Sequence, residues 1–377
     1  MKKSKKIICT LLSFLLVIPF TTLGIHSVNT GELPLSAKSA VLIDASNGNI
    51  LYSKNSSEKM EMASTTKIMT AIVAAENSDL KKTVKIAPEA VGVEGSSIYL
   101  REGEQFTVEE LLYALLLQSA NDAATAIAYA VAGGVEQFAD MMNTKAQDLG
   151  LESTHFTNPH GLSDEDHYTT AYELALVAMC ALENETVREI VSTYKKSLPI
   201  DSDSTPRVLV NHNKMLKLYN GAIGVKTGFT KRAGRCLVSA AERDGLTLIA
   251  VTLNAPDDWR DHTQLLDFGF DTYESLLVAE PGEFSYALPV TGGKEDFVTL
   301  TNTDELRLTV PKDRGDITFR VETIHRFEFA PTHRGTEGGI VFCEYGEVAF
   351  DSSPLIYAEN VDATNDEIPF WDRIFKK

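Results

Sequence analysis

The chain changes its pattern once along its length, near residue 278. Before this point amphipathic helical patterns alternate with short apolar runs typical of strands, and after Pro281 and Gly282 only short alternating runs follow, separated by turn residues. The helical patterns cover residues 108–132, 135–149 and 170–182, and the strand-like runs cover 40–44, 236–241 and 247–253 before the change and 297–300, 306–310, 317–321, 339–345 and 347–350 after it. A chain of 377 residues is long enough for two domains. We predict an α/β domain over residues 39–277 and a small all-β domain over residues 281–362.

The N-terminus has the charged head and apolar middle of a secretory signal. Lysines at positions 2, 3, 5 and 6 precede an apolar run over residues 7–20. A membrane-spanning helix needs about 20 apolar residues, and Pro19 interrupts this shorter run. We therefore predict a signal peptide over residues 1–28 and export from the cytoplasm to the wall or the outer face of a bacterial membrane. Cleavage after Ser27 and cleavage as late as residues 36–40 both stay open.

Charge and cysteine content exclude several classes of partner. The formal net charge is −18, and loss of the four signal lysines makes it about −22, so nucleic acid is not an expected partner. Beyond the signal, Cys180, Cys236 and Cys343 lie far apart in apolar surroundings, and no CxxC pair exists. They are predicted to be small buried apolar side chains rather than a disulfide framework or metal ligands. No metal or cofactor is predicted.

The segment ASTTKIMT, residues 63–70, places Ser64 three residues before Lys67 at the start of an apolar run. A serine at this position commonly caps a helix, and the pattern alone favours an N-cap. Residues three apart in a helix lie on one face about 5–6 Å apart, so Lys67 would sit beside the Ser64 hydroxyl. Burial and a second cation nearby could make the lysine partly neutral, and it could then act as a base. The segment does not decide between these interpretations.

Two further polar triplets follow at spacings of about 55 and 105 residues. Ser119, Ala120 and Asn121 interrupt an apolar helical pattern, which is also what a cap at a helix break would look like. Lys226, Thr227 and Gly228 open a strand-like run, where a lysine can simply decorate a sheet edge. Each pattern alone arises often by chance, whereas all three in this order and in one exported chain rarely do.

With these three elements the chain resembles the serine penicillin-recognising family, which carries S-x-x-K, S-x-N and K-T-G elements. Within it, the chain is most similar to the low-molecular-mass D-alanyl-D-alanine carboxypeptidases. The likeness runs from residue 39 to 357 and includes the segments GSSIYL (95–100), FTNPHGL (156–162), HYTTA (167–171) and GGKED (292–296). The last segment matches the opening of the family's C-terminal domain. The resemblance implies an antiparallel sheet flanked by helices, with a helical subdomain, followed by a small all-β domain.

The resemblance also implies an activity and a set of site residues. The protein would remove the terminal D-alanine from peptidoglycan stem pentapeptides, and penicillins and other β-lactams would inhibit it covalently. Ser64 would be the nucleophile, Lys67 its base, and Ser119 the relay that protonates the leaving amine. The substrate-binding residues would be Asn121, Lys226, Thr227, Gly228 and Phe229, with the backbone N–H groups of Ser64 and Phe229 forming the oxyanion hole.

The chain departs from family patterns in two places. Ala120 stands where carboxypeptidases often have glycine and many β-lactamases aspartate, and its side chain is expected to face away from the cleft. Residues 158–171 contain no Glu-x-x-Leu-Asn element, and Glu165 and Glu173 lack its context, so efficient antibiotic hydrolysis is not expected. A β-lactamase and a non-catalytic, wall-binding penicillin sensor remain the alternative functions.

Two histidines and a tyrosine lie in the segment between residues 156 and 171. His160 matches a histidine that many relatives carry near the cleft, but a loop histidine before a glycine is more often structural. A catalytic part for His160 stays open. His167 and Tyr168 are expected to brace the same loop.

Residues 363–377 form a short amphipathic tail. If they are helical, Phe370, Trp371, Ile374 and Phe375 share one face, and two lysines end the chain. This pattern is compatible with a peripheral membrane contact or with docking of the tail on the β domain.

Overall fold

A computed structural model describes residues 33–198, 206–313, 316–345 and 348–364. The predicted signal peptide and the apolar face of the tail lie outside these described residues. Their predicted roles therefore stay predictions.

The first part of the chain is built on a five-stranded antiparallel sheet with helices on both faces, and four further strands form two small two-stranded sheets. The nine strands in the described residues are β1 (Ser39–Asp44), β2 (Ile50–Lys54), β3 (Thr83–Lys85), β4 (Gln105–Thr107), β5 (Lys195–Leu198), β6 (Arg207–Val210), β7 (Ala222–Thr230), β8 (Gly234–Arg243) and β9 (Leu246–Leu253). The helices are α1 (Lys67–Asn77), α2 (Val108–Leu117), α3 (Asn121–Ala132), α4 (Val135–Asp148), α5 (Ala171–Glu183), α6 (Glu185–Ser192), α7 (Met215–Leu218) and α8 (Asp258–Thr272). The central sheet has the order β2-β1-β9-β8-β7, so β7 is an edge strand.

Side chains on the two faces of the central strands pack into two separate hydrophobic cores. Val41 and Val251 point into a large core that they share with α1 to α5. Leu42 and Leu248, an odd number of positions away and so on the opposite face, point into a second core beneath α8. Because both faces are covered, these strands are continuous apolar runs and not alternating ones. The helix α1 lies in the middle of the larger core, and its residues from Lys67 to Ala74 are buried.

The polar triplet near residue 120 splits the helical pattern predicted over residues 108–132. Helix α2 begins with a capping box between Thr107 and Glu110 and ends at Leu117, and α3 begins at Asn121. Ser119, between them, has a left-handed backbone with φ of +58°. A helix cannot continue through that conformation, so the chain turns there and both helices end up against α1.

After α8, the only helices or strands in the residues that the structure describes are strands. They are β10 (Tyr273–Ala279), β11 (Ser285–Thr291), β12 (Phe297–Asn302), β13 (Leu306–Pro311), β14 (Ile317–Thr323), β15 (Glu328–Phe329), β16 (Glu337–Tyr345) and β17 (Val348–Tyr357). Six form a sheet in the order β14-β16-β17-β12-β11-β15, and β10 pairs with β13. The predicted fold class, a mixed helix and sheet domain followed by a β domain, is confirmed. The exact domain ranges stay a prediction, since β10 begins before residue 277 and yet pairs with β13.

The described residues contain no disulfide and no obvious metal site. Cys236 and Cys343 are buried, Cys180 is half-buried, and all three are free thiols. Within the same residues no group of three or more histidine, cysteine or acidic side chains could hold a metal ion. None of the helices described is long and apolar enough to cross a bilayer.

The segment ahead of β1 is fastened to the core. Leu35 is buried in the core beneath α8, and its carbonyl accepts a hydrogen bond from Lys54 Nζ at 2.9 Å. The Asp261 carboxylate accepts hydrogen bonds from Ser36 N (2.9 Å), Ser36 Oγ (2.8 Å) and Ala37 N (2.8 Å). These contacts need the chain to extend N-terminal to β1.

We expect cleavage of the predicted signal peptide to occur before Ser36. Cleavage within residues 36–40 would remove Leu35 and at least two of the three donors to the carboxylate of Asp261, which is 1% exposed. A charged group left without partners costs more than the roughly 1–3 kcal/mol typical of neutral groups. N-terminal sequencing of the secreted protein checks this, and a mature N-terminus at Ala37 or later would contradict it.

Candidate active site

Ser64 lies in a tight turn that leads directly into α1. A 3-10 helix over Ala63–Thr66 precedes α1, and the N-cap positions of these two segments are occupied by Met62 and Thr66, neither with a side-chain cap. The interpretation of Ser64 as an N-cap is therefore wrong. Ala63 has a left-handed backbone with φ of +48°, a conformation that costs a residue other than glycine on the order of 1 kcal/mol.

Lys67 is fully buried, and its amine contacts three oxygens. Its Nζ lies 3.1 Å from Ser64 Oγ, 2.7 Å from Asn121 Oδ1 and 2.6 Å from the carbonyl oxygen of His160. The last two oxygens can only accept hydrogen bonds, whereas the hydroxyl can also donate. A neutral amine fits this set: its two N–H groups donate to the amide and the carbonyl, and its lone pair faces the Ser64 hydroxyl.

Electrostatics favour that neutral form. Burial lowers the pKa of Lys67 well below its usual value, and the positive charge of Lys226 lowers it further, against a smaller opposing effect of Asp122. Burial also lowers the pKa of Lys226 to about 7. Lys226 is 1% exposed, and its Nζ donates to the carbonyl oxygen of Thr227 at 2.9 Å. Two buried lysines thus lie close enough to affect each other in a protein whose net charge is strongly negative.

The turn between α2 and α3 brings Asn121 to Lys67. The Asn121 backbone N–H donates to the carbonyl of Ser96 at 2.7 Å, and Nδ2 donates to the carbonyl of Glu94 at 2.5 Å. The amide oxygen is thereby left facing Lys67. The interpretation of this triplet as a helix cap is wrong, because Ala120 holds the N-cap position without a side-chain bond. Ser119 is 5% exposed on the same turn.

Asp122 is a residue of this region that sequence reasoning missed. It is 1% exposed, and its carboxylate accepts hydrogen bonds from Ser97 Oγ (2.6 Å), Ile98 N (3.3 Å) and Leu100 N (3.0 Å). These bonds hold the 97–100 loop at the start of α3, next to the carbonyls that orient Asn121. An acidic residue inside an apolar pattern does indicate a buried carboxylate that needs donors. The sequence does not show which donors these are, because they lie more than 20 residues earlier.

Edge strand β7 runs past the Ser64 turn. A Cβ built on Gly228 would lie 3.0 Å from Ser64 N and 3.0 Å from Met62 O, so any larger residue would push the strand and the turn slightly apart, and glycine allows the closest approach. Lys226 and Gly228 pair with Val238 and Cys236 of β8, and no strand covers the other edge of β7 in the described sheet.

Some of the predicted site residues are joined by hydrogen bonds, and others only lie close to this group. Hydrogen bonds join Ser64, Lys67 and Asn121. Lys226 acts on Lys67 through its charge, and Gly228 touches the Ser64 turn through its backbone. The side chains of Ser119, Thr227 and Phe229 make no hydrogen bond to Lys67 in the described part of the chain, and Phe229 is 65% exposed.

The loop that contains His160 touches Lys67 through its backbone. The carbonyl of His160 accepts from Lys67, and the carbonyl of Pro159 accepts from Thr70 Oγ1 at 2.6 Å. The imidazole Nδ1 accepts from Leu162 N at 3.3 Å, and burial lowers the pKa of His160 to about 3. This ring is therefore neutral at neutral pH, and a catalytic part for it stays untested.

Comparison with known proteins assigns the family. Residues 26–257, more than half of the chain, match the peptidase family S11, D-alanyl-D-alanine carboxypeptidase. The chain belongs to this family. The family predicted from the three short motifs is thus confirmed.

Relatives in the family match nearly the whole chain. It is 35% identical to the D-alanyl-D-alanine carboxypeptidase DacF of Bacillus subtilis over 362 residues, which are 92% of each protein. It is 29% identical to DacC of Escherichia coli, covering 95% of this chain and 92% of DacC. Among solved structures, penicillin binding protein 5 from Haemophilus influenzae superposes with a TM-score of 0.76 at 26% identity, covering 88% of this chain and 99% of that one. The similarity therefore includes the β domain.

We expect the wild-type protein to gain stability relative to a Lys226→Met variant as the pH rises from 7 to 10. The unfolded chain keeps this lysine protonated up to about pH 10.4, whereas the folded protein releases the proton near pH 7. Unfolding takes up a proton in this window, so the free energy of unfolding rises by up to about 1.4 kcal/mol per pH unit. Urea unfolding of both proteins at pH 7 and pH 10 measures this change.

A Lys231→Met variant is the matched control, because Lys231 is exposed just after the same strand. Its stability difference from wild type should change little with pH. A difference between wild type and Lys226→Met that is equal at both pH values would contradict the lowered pKa of Lys226.

Proposed function

We propose that the protein is a serine D-alanyl-D-alanine carboxypeptidase that removes the terminal D-alanine of peptidoglycan stem pentapeptides through an acyl-enzyme on Ser64. The observation that carries the proposal is the buried Lys67 amine, 3.1 Å from Ser64 Oγ and held by two further acceptors. A surface lysine would be charged and could not take a proton, whereas this one has the burial and the partners of a base.

In the first step Lys67 takes the proton of Ser64 as Oγ attacks the carbonyl carbon between the two D-alanines. The lysine becomes an ammonium, and its charge is then stabilised by the acceptors already in place, Asn121 Oδ1 and the His160 carbonyl. The hydrogen bonds to these groups strengthen when the amine gains its charge. The carbonyl oxygen of the substrate becomes negative and needs donors of its own.

The backbone N–H groups of Ser64 and Phe229 are proposed to supply those donors, each worth about 3 kcal/mol in such a site. The close approach of Gly228 to Ser64 N supports this, since it brings β7 beside the nucleophile. The free edge of β7 suits an extended peptide, which would pair with it as an added strand. Lys226 and Thr227 on the same strand are proposed to bind the terminal carboxylate.

In the second step the peptide C–N bond breaks, and the leaving amine takes a proton relayed through Ser119 from Lys67. D-alanine leaves, and the stem peptide remains as an ester on Ser64. Water then adds to the ester carbonyl, Lys67 again takes the proton, and the shortened peptide is released with the Ser64 hydroxyl restored. Penicillins would acylate the same oxygen and stay bound, because their opened ring does not leave the site.

The two alternative functions are not favoured. Glu173 does not face the Ser64 turn: it accepts hydrogen bonds from Ser153 N at 2.9 Å and Thr154 Oγ1 at 2.5 Å. Glu165 is exposed, so neither carboxylate has the surroundings of a base for antibiotic hydrolysis. A mere sensor would not need the complete set around Lys67. Export belongs to the same proposal, since the proposed substrate lies outside the cytoplasm, and the membrane contact of the tail stays a prediction.

We expect Ser64→Ala to abolish both D-alanine release from a pentapeptide and covalent labelling by fluorescent penicillin. The substitution removes the only oxygen of the turn that contacts Lys67 Nζ. Labelling is read on a gel and D-alanine by an enzymatic assay, with Ser192→Ala at the exposed end of α6 as the control that keeps both activities. Labelling of the Ser64→Ala variant at another residue would refute the nucleophile.

We expect Lys67→Arg to lose about a hundredfold to ten-thousandfold in the acylation rate. Arginine keeps a positive charge but cannot release its proton near neutral pH, and general base catalysis is typically worth 10²–10⁴-fold. Stopped-flow acylation by penicillin measures the rate. Lys145→Arg, which should keep its surface ion pair with Glu76, is the control, and near wild-type acylation by Lys67→Arg would limit Lys67 to an electrostatic part.

A further inference from the structure

A buried histidine outside the proposed mechanism is linked to the Ser64 turn by hydrogen bonds. His167 is 2% exposed and packs edge-on against Phe156, with ring centroids 5.8 Å apart. Its Nδ1 accepts from Thr157 N at 3.1 Å, and its Nε2 lies 2.8 Å from Thr66 Oγ1. Thr66 Oγ1 in turn donates to the carbonyl oxygen of Ala63 at 2.8 Å. The chain of contacts ends at the residue before Ser64.

Two independent constraints fix the proton of His167 on Nε2. The backbone N–H of Thr157 can only donate, so Nδ1 must accept and carries no proton. The Thr66 hydroxyl has a single proton, which the Ala63 carbonyl takes, so Thr66 Oγ1 must accept from Nε2–H. Both ends of the ring thus require the same neutral tautomer. A second proton would place the N–H of Nδ1 against the N–H of Thr157 and leave only the Thr157 hydroxyl, 3.3 Å away, as an acceptor.

This series of hydrogen bonds ends at Ala63, whose backbone is strained. Ala63 holds its left-handed conformation although it has a Cβ, and such a conformation persists only where the surroundings determine it. Its carbonyl points towards Thr66 and towards Gly161, where an added Cβ would clash with that oxygen. The direction of this carbonyl sets the peptide plane between Ala63 and Ser64, and so the Ser64 N–H and the start of the turn.

We propose that His167 is a positioning residue for the nucleophile: through Thr66 it holds the Ala63 carbonyl in the orientation that aims Ser64 Oγ at Lys67 and Ser64 N–H at the reacting carbonyl. This inference rests on the proposed function, because it assigns a purpose to the position of Ser64. The earlier expectation was that His167 braces its own loop. The inference goes further, because Thr66 of the Ser64 turn, which His167 contacts, is 101 residues away in the sequence.

The surroundings of His167 maintain the neutral ring. Burial lowers the pKa of His167 to about 4, with further lowering by His155 and Lys67 and an opposing effect of Asp164. At neutral pH the relay therefore keeps one arrangement of donors and acceptors. A surface histidine would exchange tautomers and protonation states and could not hold a fixed orientation.

The test separates the donor at Nε2 from mere filling of space. Thr66→Val removes the relay oxygen at nearly constant shape, and His167→Asn can replace the acceptor at Nδ1 but does not reach Thr66. Each is expected to lower the acylation rate by penicillin and kcat for D-alanine release by about 10- to 100-fold, since small displacements of a nucleophile have effects of this size. KM for the pentapeptide should change less than threefold, because β7 is untouched.

Conservative variants at the same two positions should restore the rate. His167→Gln can carry an N–H to the position of Nε2, so it should recover most of the rate that His167→Asn loses. Thr66→Ser keeps the hydroxyl, so it should recover most of the rate that Thr66→Val loses. The double variant Thr66→Val/His167→Asn should lose little more than either single one, because both break one chain. His155→Gln in the same loop, where the ring lies at the surface against the Asp166 carbonyl, is the control and should acylate at the wild-type rate.

Each result has one meaning. Thr66→Val acylating at the wild-type rate overturns the inference, and so does an additive double variant or a failure of Thr66→Ser to exceed Thr66→Val. If His167→Asn does not fold, the Thr66 pair alone decides. Loss of penicillin labelling in Ser64→Ala together with a normal rate in Thr66→Val refutes this inference only, whereas labelling that survives Ser64→Ala refutes the proposed function itself.

Discussion

A lysine amine placed in the apolar core of a protein must be matched by acceptors or lose its proton, and the region around α1 is arranged to do both. Lys67 Nζ is the point where three segments of the chain meet: the Ser64 turn, the start of α3 at Asn121, and the His160 loop. Helix α1 carries it into the middle of the larger core. Because an unmatched buried ammonium costs several kcal/mol, the meeting of these segments is a condition of folding as well as of chemistry.

The proposed function gives the two buried lysines different tasks. As the proposed base, Lys67 has to be neutral, and its neutrality is favoured by burial and by the charge of Lys226. As the proposed partner of a carboxylate, Lys226 has to be positively charged, and its lowered pKa of about 7 leaves it partly charged under neutral conditions. A negatively charged protein, with a formal net charge of −18, can thus attract an anionic peptide end locally. Binding of a carboxylate would raise the pKa of Lys226 and complete its charge.

The sequence predicts those contacts of the site that are made by side chains close together along the chain. The spacing of Ser64 and Lys67 predicts their contact. The break between α2 and α3 entered only through the alternative interpretation of the polar triplet as a cap, since the apolar pattern itself runs through residues 108–132. The His160 carbonyl could not be predicted, because a backbone group has no signature in the sequence. The link between His167 and Thr66 spans 101 residues, and such a pairing depends on how the loop packs on the finished core.

The Ser64 turn is enclosed by backbone more than by side chains. Gly161 approaches it from the loop and Gly228 from the edge strand, and a Cβ on either one would meet the backbone of residues 62–65. Ser64 therefore lies between the loop that contains Gly161 and the edge strand β7. Since glycine has no side chain to adjust, the distance between these two elements must be set elsewhere, by the packing of α1 and by the pairing of β7 with β8. A change in the packing of α1 or in the pairing of β7 with β8 would therefore alter the space that the Ser64 turn occupies.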